Sequence, residues 1–285
     1  MSRRGWILFL SLSVIWGLPY FLIRVAVADL EPGFVVAARM VIAAAILLPI
    51  GLLGQGFGGL KGHWRWVLVL SLVEMVIPFG MLSWAETRLS SSIAGLMIAA
   101  VPIVSAVLAA RLGLADRLDS RRYLGLGIGL VGVLALVGLD LRIDDLLAAA
   151  ALGVVVVGYA VGPIVLSTAL AGVPGPPVMA AASSIAAVIY LPWLVFAAPA
   201  TPVPPSAWWA VAGLGVICSA LAFLVFFALV AEVGPTRMTV ITYLNPVVAV
   251  VLGVGVLAEP LTAGILLGFP LIILGSYLST ARSRA

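Results

Sequence analysis

Charge is scarce in this chain. Only 9% of its 285 residues are Asp, Glu, Lys or Arg, against about 25% in a soluble domain. With 64% hydrophobic residues and a mean hydropathy of +1.28, this excludes a water-soluble fold. Cysteine is nearly absent too: Cys218 stands alone inside an apolar segment, so no disulfide forms within the chain. The single histidine, His63, lies in a loop. Without clustered His, Cys or Asp there is no metal-ligand set and no Ser/His/Asp arrangement, so neither a metal nor another cofactor is expected. The absence of a Walker sequence leaves ATP-driven pumping by this chain unsupported. The net charge of +4 is spread over short loops, which does not suggest a nucleic-acid partner.

Two glycine runs must be refused as dinucleotide sites. Gly54-Gln55-Gly56-Phe57-Gly58-Gly59 and Gly127-Ile128-Gly129-Leu130-Val131-Gly132 both spell GxGxxG, but neither follows a strand in a βαβ unit. The first is a flexible loop. The second lies in a helix, where Gly125 and Gly129 also make GxxxG, as do Gly264 and Gly268 further on. Small residues at that spacing let helices approach closely, so the fifth and tenth helices are expected to pack together, within one chain or between two.

What the chain has in abundance is apolar runs. A helix needs roughly 20 such residues to cross a bilayer, and ten stretches approach that length: 5–27, 33–53, 66–86, 90–112, 121–139, 146–170, 177–197, 207–230, 235–257 and 261–280. The alternating ten-residue segments of a membrane β-barrel are missing. The first run, with Arg3 and Arg4 before it and Ala26-Val27-Ala28 after it, has the outline of a secretory signal. It exceeds a signal's usual apolar core of about 7–15 residues, so it is expected to remain as the first helix.

The second five runs repeat the first five. At an offset of 144, Pro19 falls on Pro163, Pro32 on Pro176, Trp64 on Trp208 and Pro102 on Pro246. After a one-residue slip, Asp116 falls on Glu259, Gly125 on Gly268 and Gly132 on Gly275. Five is odd, so the repeated unit enters the membrane in opposite senses. The expectation is an all-α integral membrane protein of ten transmembrane helices, built as two inverted five-helix repeats over 1–142 and 143–285. Such frames carry secondary transporters, with the site between the halves near the midplane.

Lys and Arg set the orientation. A cytoplasmic N-terminus puts Arg3, Arg4, Lys61, Arg65, Arg111, Arg117, Arg121, Arg122, Arg237, Arg282 and Arg284 inside, and only Arg24, Arg88 and Arg142 outside. Both termini are then cytoplasmic. Asp29, Glu31, Glu86, Asp140, Asp144, Asp145 and Glu259 fall outside.

Proline within a helix frees the carbonyl four residues earlier, and such a carbonyl must find protein or water. Pro19, Pro78, Pro102, Pro163 and Pro246 are the expected kinks; Pro102 frees Ile98 and Pro246 frees Thr242. Broken helices at matching positions point to a transport site. Near them stand Trp16, Tyr20, Tyr159, Tyr243 and Asn245, the chain's one asparagine. With Ile98 and Thr242, these are the candidate substrate contacts.

Two ionisable residues lie at membrane depth. Glu74 is mid-span, and Pro78 frees its own backbone carbonyl; a carboxyl there could contact substrate or carry a proton. Arg39 lies about 9 Å into its helix at 1.5 Å per residue, and a structural role is expected for it. A charge at the centre costs about 2.5–3.5 kcal/mol on insertion scales, so each should be paired or hydrated, and an Arg39–Glu74 pair is one solution. Neither has a repeat counterpart: Arg39 aligns with Ser183 and Glu74 with Cys218.

In order along the chain, Trp16-Gly17, Pro32 with Ala38-Arg39-Met40, Leu96-Met97-Ile98-Ala99-Ala100-Val101-Pro102, Ala115-Asp116-Arg117-Leu118 with Gly125 and Gly132, and Ala258-Glu259-Pro260-Leu261 with Gly268 and Gly275 resemble the EamA family of the drug/metabolite transporter superfamily. The resemblance implies an inner-membrane carrier that exports amino acids, metabolites or drugs without ATP. It also implies a cavity lined mainly by helices 1, 3, 4, 6, 8 and 9. No Trp-Gly recurs in helix 6, and proton coupling through Glu74 is read from the residues, not from the family. The function expected is therefore a secondary exporter working by alternating access. An uncoupled uniporter is the nearest rival and an intramembrane enzyme the remote one. Its partners would be the lipid bilayer and a small-molecule substrate, with the chain as monomer or homodimer.

Overall fold

The computed structural model describes residues 2–114, 120–140, 145–233 and 241–280, with Val233, Tyr243, Ser279 and Thr280 described by their backbone alone. Asp116, Arg117, Arg142, Asp144, Arg237, Arg282, Arg284, the Tyr243 side chain and positions 235–240 of the expected ninth helix lie outside them. Among the described residues, regular structure is helical throughout. The helices are α1 (Arg3–Ala26), α2 (Pro32–Leu53), α3 (Trp64–Ala85), α4 (Ser91–Arg111), α5 (Ser120–Asp140), α6 (Leu146–Ser167), α7 (Gly175–Tyr190), α8 (Pro205–Glu232), α9 (Ile241–Gly255) and α10 (Ala263–Thr280). Seven of these, α1 to α6 and α8, are long and apolar enough to cross a membrane; α7, α9 and α10 are shorter apolar helices over the residues that can be assessed.

Large apolar side chains cover much of the outside, among them Leu53, Leu147, Phe196 and Trp209. A water-facing surface does not carry so much apolar area, and hydrocarbon is its natural solvent. The expected seventh helix, 177–197, starts at Gly175 and stops at Tyr190; a turn at Leu191-Pro192 leads into the separate short helix Trp193–Phe196.

Three helices depart from regular α geometry. Helix α3 opens into a π turn over Leu72–Val76, where the Ile77 N–H reaches the Leu72 carbonyl. Pro78 supplies the reason, since it has no N–H to offer Glu74 in an α ladder. Helix α8 opens in the same way over Val216–Leu221, 144 positions later. No proline lies there; instead the Ser219 hydroxyl donates to the Leu214 carbonyl at 2.8 Å. The two halves thus share a widened turn reached by different chemistry. Helix α4 breaks at Ala99-Ala100, one residue short of Pro102, into Ser91–Ile98 and Val101–Arg111. Ser276 of α10 donates to the Ala99 carbonyl at 2.8 Å, as buried broken backbone requires. Its repeat partner α9 runs unbroken past Pro246.

Packing follows the repeat. Corresponding helices pair with each other, α2 with α7, α4 with α9 and α5 with α10. Further contacts cross between halves in matching pairs: α1 on α9 and α6 on α4, α8 on α1 and α3 on α6. Within one chain, α5 and α10 meet backbone to backbone. A methyl group on Gly132 would sit 2.8 Å from the Ile272 nitrogen, one on Gly268 would sit 2.9 Å from the Gly132 carbonyl, and one on Gly275 would overlap Gly129. Gly264 does not belong to this seam, contrary to its GxxxG spacing. It faces Asp140, whose carboxylate accepts the Gly264 N–H at 3.0 Å and the Thr262 hydroxyl, capping α10.

Candidate functional site

Glu74 sits on the π turn of α3, where α3 packs against α6. The α6 surface it meets is bare, because Gly158 and Gly162 lie one turn apart on one face. A methyl group on Gly162 would overlap the Glu74 side chain, and one on Gly158 would overlap the Val73 carbonyl. Two glycines therefore let the widened turn of the first half seat itself on the first helix of the second. Glu74 is half-buried. Its carboxyl has no hydrogen bond or ion pair among the described residues. Tyr159, on the same stretch of α6, is half-buried and within electrostatic range of Glu74 and Arg39.

Arg39 does not pair with Glu74. It is 4% exposed; its Nε donates to Ser219 Oγ at 2.8 Å, and its guanidinium lies 3.8 Å from the centre of the Phe79 ring. A hydroxyl acceptor and an aromatic face thus hold a cation at depth, where planar guanidinium stacking is effective. The helix that Arg39 grips is α8, at the π turn of the other half.

The remaining candidates separate. Tyr20 is buried against Gly95 of α4. Trp16 packs at a tilt on Phe226 of α8, ring centres 5.5 Å apart, in a cluster with Phe9, Leu12 and Ile15. Ile98 ends the first segment of α4 and is half-buried. Thr242 opens α9 and is half-buried, with a partner of its own. Asn245, with its amide turned to satisfy its neighbours, donates to the carbonyls of Ile241 and Ser13, 3.1 Å each, and ties α9 to α1. Pro19, Pro78, Pro102 and Pro246 are buried, whereas Pro163 is exposed.

A second polar cluster gathers where α1, α3, α4 and α9 end. Glu259 caps α4: its carboxylate accepts the N–H groups of Ser91 and Ser92 at 2.7 and 3.0 Å, and their hydroxyls at 2.9 and 2.5 Å. Ala258 turns the chain for this with φ of 55°, a strained conformation for a residue with a Cβ. Beside it Arg24 Nη1 donates to the Glu86 carbonyl at 2.5 Å. Arg24, Arg88, Asp29, Ser90, Ser206 and Glu259 are among the residues around an open cavity of about 600 Å³.

Sequence reasoning missed both π turns, the Gly158/Gly162 seat and the capping role of Glu259. The 144 spacing of Leu72 and Val216 was silent because Pro78 has no counterpart at Ala222. Gly158 and Gly162 did make a legible GxxxG.

Apolar helices that pair across a duplicated frame, with a half-buried acid and a buried base at the contact between the repeats, define a class: the multi-pass membrane transporters of duplicated helical build. The profile of the EamA-like transporter family matches residues 3–138 and again residues 146–281, and the chain belongs to that family, within the drug/metabolite transporter group. It is 27% identical over 284 residues to the uncharacterized inner membrane transporter YedA of Escherichia coli K12, covering 95% of this chain and 91% of that one. To the protein PagO of Salmonella typhimurium LT2 it is 27% identical over 128 residues, 45% of this chain and 42% of the other. A protein of known crystal structure superposes with a TM-score of 0.71 at 21% identity, covering 98% of each chain, which shows a common fold.

Proposed function

We propose that this protein is a proton-coupled secondary transporter that exports small metabolites, amino acids or drug-like compounds across the inner membrane. In this reading the ten helices all cross the bilayer, and the halves 1–142 and 143–285 enter in opposite senses with both termini cytoplasmic. The observation that carries it is Glu74: half-buried, without a hydrogen-bond partner among the described residues, on a widened turn seated between the halves. A bare carboxyl at that depth must be neutral or hydrated, so its proton and a ligand compete for one place. Substrate binding at Glu74 and Tyr159 releases the proton on one side, and reprotonation from the other side releases substrate. Tyr20, Ile98, Trp16, Thr242 and Asn245, which lie apart from Glu74 in this conformation, are proposed to meet substrate at other points of its path, with Asn245 and Trp16 also bracing α1 against α9 and α8; the proposed contact at Tyr243 falls on a side chain outside the described residues. The break in α4 and Pro246 in α9 are the proposed pivots. Likeness to an inner membrane transporter supports the location and transport rather than catalysis.

The test is thermal stabilisation of the purified protein by a panel of amino acids, nucleosides and organic cations. A binder of the native state raises apparent stability by RT ln(1 + [L]/Kd). A hit that is lost in Glu74→Gln, at unchanged stability without ligand, supports the site. A hit untouched by Glu74→Gln refutes it and favours an uncoupled uniporter.

A further inference from the structure

Glu86 is the most buried acid in the cluster beside Arg24. Its side chain is 0% exposed, and both carboxyl oxygens lack a hydrogen-bond partner. Such an arrangement does not tolerate a charge: an ionised carboxylate buried without donors costs several kcal/mol or more. The neighbours make ionisation harder still. Glu259, from the α9–α10 connection, holds its negative charge on four donors of α4 and has none to lend. Tyr20 of α1 and Tyr159 of α6 lie within electrostatic range as groups that lose charge-neutrality only on deprotonation. Among the described residues one cation stands close, Arg24 of α1, and it donates to the Glu86 backbone carbonyl rather than to the carboxyl. Burial first, and then the Glu259 carboxylate, push the Glu86 carboxyl well up, with Arg24 opposing.

We infer that Glu86 is a second proton-binding site, at the end assigned to the outside, and that it shares Arg24 with the adjoining cavity. While Glu86 carries its proton, Arg24 is held by the carbonyl and keeps its full charge beside Arg88 at the cavity. When the proton leaves through that cavity, Arg24 is the described guanidinium placed to stabilise the carboxylate, and it turns from carbonyl to carboxylate and withdraws its charge from the mouth. Proton occupancy of Glu86 thereby sets the positive charge offered at the outer entrance, where acidic medium favours entry of anionic groups. The inference is independent of the role given to Glu74.

Infrared titration of purified full-length protein in the Glu74→Gln background tests it. The carbonyl stretch of a protonated carboxylic acid is expected at neutral pH and is expected to vanish in Glu74→Gln/Glu86→Gln, whose amide keeps the shape of the neutral acid. The midpoint of that band should rise further in Arg24→Gln, and stay close to its original position in Arg24→Lys. No Glu86-dependent band at neutral pH would overturn the proton site. A band indifferent to Arg24→Gln would overturn the shared cation. Both readings stand apart from Glu74, whose failure would appear only in ligand stabilisation.

The same proton sets a pH slope for stability. The folded state keeps Glu86 protonated above the unfolded glutamate pKa, near 4.3, so stability falls as pH rises between the unfolded and the folded value. For one proton the unfolding equilibrium constant rises up to about tenfold per pH unit across that window. Glu86→Gln should remove that slope, gaining thermal stability on wild type as the medium becomes alkaline. Parallel curves for the two proteins would contradict a raised Glu86.

Discussion

Arg39 of α2 and Ser219 of α8 are joined by a 2.8 Å hydrogen bond, and 144 positions away along each partner the same contact recurs as Ser183 Oγ of α7 on Met75 Sδ of α3, at 3.8 Å. In each half the second helix reaches into the π turn of the other half's third helix. The repeat has kept the contact and changed its chemistry, from a cation on a hydroxyl to a hydroxyl on a thioether. A thioether is a weak acceptor, so the two ties differ in strength. Ser219→Ala, which leaves a buried charged donor unsatisfied, should cost about 1–3 kcal/mol. Ser183→Ala should cost under about 1 kcal/mol. Unfolding in detergent would show the order, and equal losses would refute it.

Glycine in the α5–α10 seam is set by approach distance, which gives a sharp contrast within one helix pair. Gly275→Ala and Gly132→Ala must push backbones apart and should lose about 1–3 kcal/mol. Gly138, with open space where a Cβ would go, should gain up to about 1 kcal/mol as Gly138→Ala. Thermal scans of the three variants decide the matter.

The Glu259 cap predicts a loss of about 1–3 kcal/mol for Glu259→Ala, since a carboxylate holding backbone and hydroxyl donors is replaced by nothing. Ala258→Gly should go the other way by up to about 1 kcal/mol, because glycine adopts positive φ without strain. A neutral Glu259→Ala would show the cap to be dispensable.

The Gly162 seat predicts coupling between two residues on different halves. Gly162→Ala should destabilise the protein by overlap with Glu74. Glu74→Ala, by removing the overlapping atoms, should relieve part of that loss. A double-mutant cycle is expected to give an interaction of about 0.5–3 kcal/mol; additive losses would place Glu74 elsewhere.

How much of this was legible in the sequence depends on the kind of signal. Apolar length and the 144 offset gave the helices and the pairing of α5 with α10, because hydrophobicity and glycine spacing are written locally. The break in α4 was legible through Pro102, since a missing N–H is a property of one residue. The partner of Arg39 was not: Glu74 is the obvious acid on the next helix, whereas Ser219 lies 180 residues away and is found only once α2 crosses to α8. The π turns were half legible, through Pro78 in α3 but through nothing in α8, where a serine hydroxyl does the equivalent work. Glu259 and Glu86 read alike as acids near a membrane surface. Folding alone separates them, giving one four donors and the other none.

In the proposed cycle Glu74 exchanges a proton for substrate between the two halves. Inverted membrane vesicles carrying the protein, energised to an acidic interior and loaded with a pH-sensitive dye, test this most directly. On adding a compound that stabilises the purified protein, the wild type is expected to release protons from the vesicle interior and restore dye fluorescence, while Glu74→Gln, present at equal amount, leaves it quenched. Substrate-evoked proton release of equal size in Glu74→Gln would contradict the account.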